Sequence, residues 1–317
     1  MPSTSVPARP AHHTHSTPSP ARTALLSRYT HLRDPASVLV TGWEPAGADT
    51  FLVQVRWPAA HGERPYDPRL LTQTVRQSGL VVAHAEYGVP LDHQTLLRSL
   101  DLTLAPDFPV PRGQAAALDV EVRVPDTGPR RRTGTLAMDI RLRHRGTTVA
   151  AADTEFGWVS PAVYRRLRGP HPTVPWGQWP LPEPLPPALA GRATPSDVAL
   201  SATGHPGRWL LRNDTANTLL FDHPVDHVPG LALIEAADQA AHALLTPTPL
   251  HPTSISTRYT RYVEFDAPCW IDATLLPAPG PGQFAAQVTG TQNGRHTFTT
   301  EFRGPTTPPP AHPTTRR

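Results

Sequence analysis

The residue types best suited to chemistry occur between Phe221 and Ala241, in the segment FDHPVDHVPGLALIEAADQAA. His223 and His227 precede a Pro-Gly pair, and Glu235 follows in the first turns of a predicted helix of Leu, Ile and Ala. A carboxylate buried on such a helix costs several kcal/mol unless it is paired or protonated. Glu235 is therefore predicted to belong to a functional site, and His223 and His227 are candidates to line it.

A second predicted helix, in the first half of the chain, carries polar residues at the same spacing. In each helix, three polar residues share one face at positions i, i+3 and i+4, opposite an apolar face. The triplets are Gln73, Arg76 and Gln77 in the first helix, and Glu235, Asp238 and Gln239 in the second. A solvated stripe would explain one triplet, but its presence in both helices favours two related sites.

The elements around these helices repeat in the same order in the two halves. Helices are predicted over 69–84 and 231–244, and a strand precedes each one, at 51–58 and 208–212. Alternating polar and apolar residues then predict half-buried strands. These strands are 117–124, 135–145 and 148–159 in the first half, and 257–268, 269–277, 283–293 and 295–304 in the second. We predict an α+β fold, a tandem double hotdog in which each half is an antiparallel sheet wrapped around a central helix.

The 41 prolines divide the chain, because they concentrate in three stretches with few apolar residues. Residues 1–23 and 304–317 are predicted to be disordered tails, the first rich in Pro and His. Residues 169–196 are predicted to be a Pro-rich linker between two hotdog domains, at 24–168 and 197–303.

Composition excludes several classes of function. All 29 basic residues are arginine, which excludes Schiff-base and lysine-base mechanisms. The net charge is only +3 and the arginines are scattered, so nucleic-acid binding is not expected. Arg130–Arg132 in a predicted turn could dock an acidic carrier protein, although a solvated turn is the simpler interpretation.

The single Cys269 excludes disulfides and zinc–thiolate sites. Without a membrane span, a signal peptide or a nucleotide-binding fingerprint, we expect a cytoplasmic protein with no cofactor and no metal.

Three motifs resemble the A-factor biosynthesis (AfsA-type) proteins of actinomycetes. They are WPAAH at 57–61, TVRQSGLVVAHAEYGVPL at 74–91 and FDHPVDHVPGLALIEAADQAA at 221–241. The resemblance covers both halves in order. The last motif is also similar to the β-hydroxyacyl-carrier-protein dehydratases, which supports a hotdog fold and an acyl thioester ligand.

The resemblance implies synthesis of a γ-butyrolactone signal. The protein would transfer a β-ketoacyl group from an acyl carrier protein to the hydroxyl of dihydroxyacetone phosphate, or of a related small phosphorylated hydroxy-ketone, and the ester would cyclise to a butenolide. Glu235 would be the base, Arg76 would bind the phosphate and His223 would contact the substrate. The substrate pocket would also be lined by Gln73, Gln77, Asp238, Gln239, His227 and His61.

Two positions depart from the family pattern, which has Glu-x-x-Arg-Gln on both helices. Gln73 replaces the first acid and Asp238 replaces the second arginine. Arg76 and Glu235 could then form one composite site if the central helices pack together. Like charges at Glu235 and Asp238 would raise the pKa of one of them, and Asp238 would repel a phosphate. The alternatives are a hotdog dehydratase or thioesterase, and a non-catalytic acyl- or lactone-binding regulator. The two units could pair within a monomer or form a homodimer.

Overall fold

The computed structural model describes residues 18–59, 67–105, 108, 113–125, 134–169 and 174–307. His61 and the Arg130–Arg132 triplet lie outside the described residues, as do most of both predicted tails. Within the described ranges the chain forms four α-helices and twelve β-strands.

The strands form one continuous sheet in the order β1-β2-β4-β5-β6-β3-β9-β12-β11-β10-β8-β7. In the first half they are β1 Val40–Gly47, β2 Thr50–Trp57, β3 Gln94–Leu104, β4 Ala116–Arg123, β5 Thr135–His144 and β6 Thr147–Val159. In the second half they are β7 Leu200–Ala202, β8 Arg208–Leu211, β9 Ser254–Tyr259, β10 Cys269–Leu276, β11 Gln283–Gln292 and β12 Arg295–Pro305. Every pair is antiparallel, and β3 pairs with β9, so each half contributes six strands to the same sheet.

Each half-sheet covers one long central helix. The helices are α1 Pro20–Thr30, α2 Pro68–Ala85, α3 Pro161–Arg168 and α4 Gly230–Leu245. Helix α2 contacts β1, β2, β4 and β5, while α4 contacts β7, β10, β11 and β12, and the two helices also contact each other. A Cβ at Gly79 of α2 would lie 2.6 Å from the Phe156 ring, so a glycine is needed for this helix to pack so closely on the sheet. The predicted α+β architecture, with one central helix in each half, is confirmed.

Several helices and strands were not predicted from the sequence. Helix α1 begins inside the predicted tail, where Pro20 occupies the first turn and Ser19 caps the helix. Strands β1 and β3 were not predicted, and the strand predicted over 257–268 is instead β9 at Ser254–Tyr259. The pairing partner of β9 in the other half is β3, so the strand that joins the halves was missed.

Residues 174–196 of the Pro-rich stretch pack against the second half. The Trp179 ring stacks on the Phe265 ring with 4.1 Å between centroids, and its Nε1 donates to the carbonyl of Asn213 at 2.8 Å. Leu185 and Ala190 are buried. This corrects the expectation that the stretch has too few apolar residues to pack, because Trp179, Leu185 and Ala190 are enough to attach it to the core, although Leu181 and Leu189 stay exposed. The domain boundaries themselves stay a prediction.

Among the helices that the structure describes, none is both long enough and apolar enough to cross a membrane.

Candidate active site

Gln77 and Gln239 have the same structural role in the two halves. Each side chain is buried and bridges its central helix to the backbone just before the first strand of its half, β1 or β7. The bonds run from Leu39 N to Gln77 Oε1 at 2.7 Å and from Gln77 Nε2 to Ser37 O at 2.9 Å, and from Ala199 N to Gln239 Oε1 and from Gln239 Nε2 to Asp197 O, both at 2.8 Å. The two sequence triplets therefore occupy equivalent places, and these two members position the helices.

A cavity of about 590 Å³ lies between the halves and is lined by both. Gln73 and Arg76 of α2 line it from one side, and His223 and His227 line it from the loop before α4. Four of the predicted site residues therefore share one cavity. Gln77, Gln239, Glu235 and Asp238 are buried elsewhere and do not line it.

Asp222 and His223 form a carboxylate–imidazole pair at the cavity wall. His223 Nδ1 lies 2.9 Å from Asp222 Oδ2, and the same carboxylate accepts the backbone N–H groups of Arg33 and Asp34 at 2.6 and 2.9 Å. Burial would raise the pKa of Asp222, but these backbone donors and His223 outweigh it and hold the pKa below its usual value. An ionised carboxylate can only accept, so in the neutral imidazole the proton is on Nδ1 and Nε2 can accept one.

Arg76 is a half-buried cation in the wall of the same cavity. Its Nη1 donates to the carbonyl of Thr30 at 3.1 Å, and it forms no ion pair with any carboxylate of the described residues. Burial lowers the pKa of Arg76 to about 10, and the charge of Asp222 only partly opposes this. Its unused donors face a cavity, so the guanidinium can bind an anion there.

Gln73 connects the halves. Its Nε2 donates to the carbonyl of Leu219 at 2.9 Å, in the loop that leads to His223. As an amide, Gln73 donates to this carbonyl, which an ionised Glu at this position could not do. The departure from the family pattern therefore changes how α2 is attached to the loop of the second half.

His31 also lines the cavity and was missed from the sequence, because α1 was not predicted. It follows α1 in the left-handed conformation, with φ of 56°. Its Nε2 lies 2.8 Å from His84 Nε2, and His84 Nδ1 lies 2.7 Å from the carbonyl of Val89. Burial, the neighbouring His84 and then Arg76 lower the pKa of His31 to about 4. His31 is therefore neutral near pH 7.

This pKa shift predicts a pH dependence of stability. The unfolded chain binds a proton at His31 near pH 6.5, whereas the folded chain binds it only near pH 4. The free energy of unfolding should therefore fall as pH drops from about 6.5 to about 4, and be unaffected by this group above that window. Asn tolerates a positive φ, so His31→Asn should make urea unfolding midpoints less sensitive to pH across the window. The exposed His205→Asn serves as control, and equal pH dependence in all three proteins would contradict the prediction.

The polar residues of the second helix form a closed ion-pair network. Arg192, from the Pro-rich stretch, donates from Nε to Glu235 at 2.5 Å and from Nη2 to Asp238 at 2.8 Å. The side chains of Arg192, Glu235 and Asp238 are 5%, 2% and 2% exposed. Burial disfavours the charge of Arg192, but the two carboxylates outweigh it and raise its pKa above the usual value. Gln239 Nε2 also donates to Glu235 at 2.7 Å.

This network changes three expectations from the sequence. Glu235 does not meet Arg76 in a composite site, because Arg192 holds its carboxylate. Glu235 and Asp238 are not an unscreened pair of like charges, because one guanidinium contacts both. Nor does Asp238 face the cavity, so the argument that it repels a phosphate there has no structural support. A catalytic role for Glu235 stays a prediction, which the geometry does not favour.

Arg192 occupies the place that Leu32 has in the first half. After α1, the N–H groups of His31 and Leu32 bond to the carbonyls of Arg28 and Ser27. The corresponding N–H groups of Gly191 and Arg192 bond to the carbonyls of Ala188 and Pro187 in the same pattern. The first half therefore carries its cation on the helix, at Arg76, and the second carries it on the preceding turn.

Two other sites offer little chemistry. Burial raises the pKa of Cys269 to about 12, so its thiol is a poor nucleophile near neutral pH. Over the part of the chain that is described, no group of three or more His, Cys, Asp or Glu side chains is placed to hold a metal ion.

Known proteins resemble the chain over most of its length. The family model for the A-factor biosynthesis (AfsA) hotdog domain matches residues 13–160 and 177–308. The chain belongs to this family. It is 39% identical over 274 residues to a 2-oxo-3-(phosphooxy)propyl 3-oxoalkanoate synthase of Streptomyces virginiae, covering 84% of this chain and 93% of that protein. It is 40% identical over 296 residues to the synthase of the same name from Streptomyces coelicolor, covering 90% and 92%. The predicted family is thereby confirmed.

Solved structures of low sequence identity share the fold. A putative oleoyl thioesterase from Lactobacillus plantarum has a TM-score of 0.54 at 12% identity, covering 84% of this chain and 100% of that one. The 12:0-ACP thioesterase from Umbellularia californica has a TM-score of 0.51 at 11% identity, covering 83% and 100%. These likenesses concern the fold alone, and with the family match they confirm the hotdog prediction.

Proposed function

We propose that this protein is a 2-oxo-3-(phosphooxy)propyl 3-oxoalkanoate synthase. It transfers a β-ketoacyl group from a carrier-protein thioester to the hydroxyl of dihydroxyacetone phosphate, the step that leads to a γ-butyrolactone signal. Two relatives with this name match the chain over 93% and 92% of their own length. The observation that carries the proposal is the cavity between the halves, whose wall contains both His223, hydrogen-bonded to the ionised Asp222, and the half-buried Arg76.

His223 is the base in this proposal. Its Nε2 accepts the proton of the acceptor hydroxyl as that oxygen attacks the thioester carbonyl, and Asp222 stabilises the imidazolium that forms. When the tetrahedral intermediate collapses, the C–S bond breaks and the proton passes to the departing thiolate. The imidazole is then neutral again, so the step balances without a cofactor.

The N-terminus of α4 is suited to stabilise the oxyanion. Pro229, Gly230 and Leu231 line the cavity, and no side chain caps this helix. The N–H of Ala232 donates to the carbonyl of Pro229 at 2.9 Å, so the N–H groups of Gly230 and Leu231 are the ones offered to a developing negative charge, which the helix dipole also favours. By contrast, α2 begins with Asp67, whose own carboxylate accepts the N–H of Arg69 at 2.9 Å.

The rest of the cavity suits the two substrates. Arg76 is the cation for the phosphate of the acceptor, since it lacks a carboxylate partner within the described ranges. Leu96, Leu97, Leu231, Leu233 and Val263 give part of the wall an apolar surface for an acyl chain. We further propose that the reaction takes place in the cytoplasm, and that a monomer suffices because the two halves pair within one chain.

The basic test is a mass-spectrometric assay of the purified protein with a β-ketoacyl carrier protein and dihydroxyacetone phosphate. The expected product is the phosphorylated ester, or the butenolide phosphate formed from it. Free β-keto acid alone would support the thioesterase alternative instead. A thioester that stays unchanged would contradict the proposal.

Arg76→Leu should impair use of the phosphorylated acceptor specifically. Loss of charge-assisted hydrogen bonds to the phosphate should lower kcat/KM for dihydroxyacetone phosphate by about 10- to 100-fold. Turnover of unphosphorylated dihydroxyacetone, expected to be slow in the wild type, should change little, because that acceptor has no phosphate to bind. The exposed Arg56→Leu on β2 is the control for loss of an arginine. Equal losses of kcat/KM with both acceptors would show that Arg76 does not bind the phosphate.

A further inference from the structure

Helix α3 presents an unusual surface next to the cavity. We propose that this surface, formed by Val163, Arg165, Arg166 and Leu167, docks the acidic acyl carrier protein that delivers the β-ketoacyl group. The inference rests on the proposed function and adds the place at which the protein donor binds. Carrier-protein docking, which the sequence suggested for Arg130–Arg132, is thereby assigned to α3.

The outward face of α3 combines exposed apolar and basic side chains. Val163 and Leu167 are 42% and 59% exposed and lie one turn apart on the same face. Arg165 and Arg166 are exposed as well and form no ion pair with any described residue. The helix contains no acidic residue. An exposed apolar pair bordered by uncompensated positive charge fits a partner that is acidic and partly apolar at its contact surface.

The inward face of α3 attaches it to the cavity wall. Tyr164 donates its hydroxyl to Asp226 at 2.8 Å, and Asp226 in turn lies 2.7 Å from His227 Nδ1. Arg168 donates to both oxygens of Glu264, at 2.6 and 2.7 Å. A bidentate pair of this kind fixes orientation as well as position. Helix α3 is therefore held against residues that belong to the second half.

These attachments lead directly to the cavity. The Arg168 guanidinium lies over the Tyr262 ring, 4.6 Å from its centroid, and His227 packs edge-on against the same ring. Both His227 and Tyr262 line the cavity. The neighbouring Arg261 also lines it and is exposed, which adds positive charge where the phosphate of a phosphopantetheine arm would enter. Arg98 of β3 lines it too, but its Nε lies 3.8 Å from Glu155, which partly compensates its charge. A carrier protein seated on α3 would thus lie beside an entrance for its thioester.

The test compares two donors that carry the same acyl group. The full-length double variant Arg165→Glu/Arg166→Glu is assayed with a 3-oxooctanoyl group on a bacterial acyl carrier protein and on free pantetheine. We expect KM for the carrier-protein donor to rise at least about 10-fold, because reversed rim charges repel an acidic partner. The kcat at saturation, and the kcat/KM with the pantetheine thioester, should stay within about twofold of the wild type.

A matched control separates docking from general charge. Arg56→Glu/Arg123→Glu reverses two exposed arginines on β2 and β4, which lie toward the β1 edge of the sheet. It should leave KM for both donors unchanged. Equal effects of the α3 variant on both donors, or none on the carrier protein, would overturn the inference.

Binding without turnover keeps the inference separate from the proposed function. Fluorescence anisotropy of the labelled acyl carrier protein should show weaker binding to the α3 variant than to the wild type or the control, and more so at low salt. If the wild type turns over neither donor, the proposed function fails, yet this measurement still decides whether α3 binds the carrier protein. Equal affinity for all three proteins would exclude α3 as the docking surface.

Discussion

Replacing His223 with Ala is expected to lower kcat by about 10²–10⁴-fold, the usual contribution of a general base. The substitution removes the Nε2 that accepts the hydroxyl proton. Asp222 keeps its two backbone donors, Arg33 and Asp34, so the loop should stay in place. Single-turnover rates with the carrier-protein thioester measure the effect on chemistry, and thermal unfolding checks that the fold is retained.

Two further variants make this prediction specific. Asp222→Asn should also slow the reaction, because an amide no longer favours the tautomer in which Nδ1 carries the proton. His227→Ala should cost less than about 10-fold, since its Asp226 partner is shared with Tyr164 and Arg168 and serves the attachment of α3. A His223→Ala enzyme with more than about a tenth of wild-type kcat would place the base elsewhere.

Glu235 provides the direct comparison with the expectation from the sequence. Its carboxylate is held by Arg192 and Gln239, away from the cavity. Glu235→Gln should therefore affect stability more than chemistry. If Glu235→Gln abolishes turnover in a folded protein while His223→Ala does not, the family-based assignment of the base is correct and the assignment to His223 is not.

The sequence predicted the elements that depend on local pattern. The helices around Gln77 and Gln239 and most of the later strands follow from periodicity, because each buries one face against its own half-sheet. The matching triplets correctly indicated equivalent positions in the two halves. Their chemistry could not be read in the same way, since spacing cannot distinguish a glutamine that binds a ligand from one that holds the backbone of Ser37 or Asp197.

The parts that were missed depend on long-range contacts. Arg192 lies in a stretch whose prolines suggested a linker, and its partners Glu235 and Asp238 are more than 40 residues away. No local sequence pattern indicates such an ion pair. His31 was missed for a related reason, because it follows a helix that was not predicted and its partner His84 is 53 residues away.

The two halves share the same helix and sheet arrangement but differ in what their central helices' polar faces contact. In the first half, the helix cation Arg76 faces a cavity that is completed by the α4 N-terminus and the His223 loop. In the second, the equivalent helix face is closed by Arg192, and the N-terminus of α2 is capped by Asp67. This asymmetry accounts for both departures from the family pattern. One site keeps an uncompensated cation for a ligand, and the other has become an internal ion-pair network.

The internal network leads to the second large prediction, which concerns stability. Arg192→Leu should destabilise the protein by about 3–5 kcal/mol, because it removes the guanidinium that contacts the buried carboxylates of both Glu235 and Asp238. Asp238→Arg should also be strongly destabilising, since it places a second buried guanidinium beside Arg192 with only Glu235 to share. Urea unfolding midpoints measure both effects. Arg141→Leu, which removes an exposed ion pair with Glu121, is the control and should cost less than about 1 kcal/mol.

The double variant Arg192→Leu/Asp238→Arg should recover most of the stability that either single change loses. It gives the second half the arrangement of the first, with leucine on the turn as at Leu32 and arginine on the helix as at Arg76. The new arginine would lie one turn from Glu235 and pair with it. The two changes should therefore be coupled by more than about 2 kcal/mol. If their effects simply add, Arg192 does not substitute for the helix cation, and the second half is stabilised by other contacts.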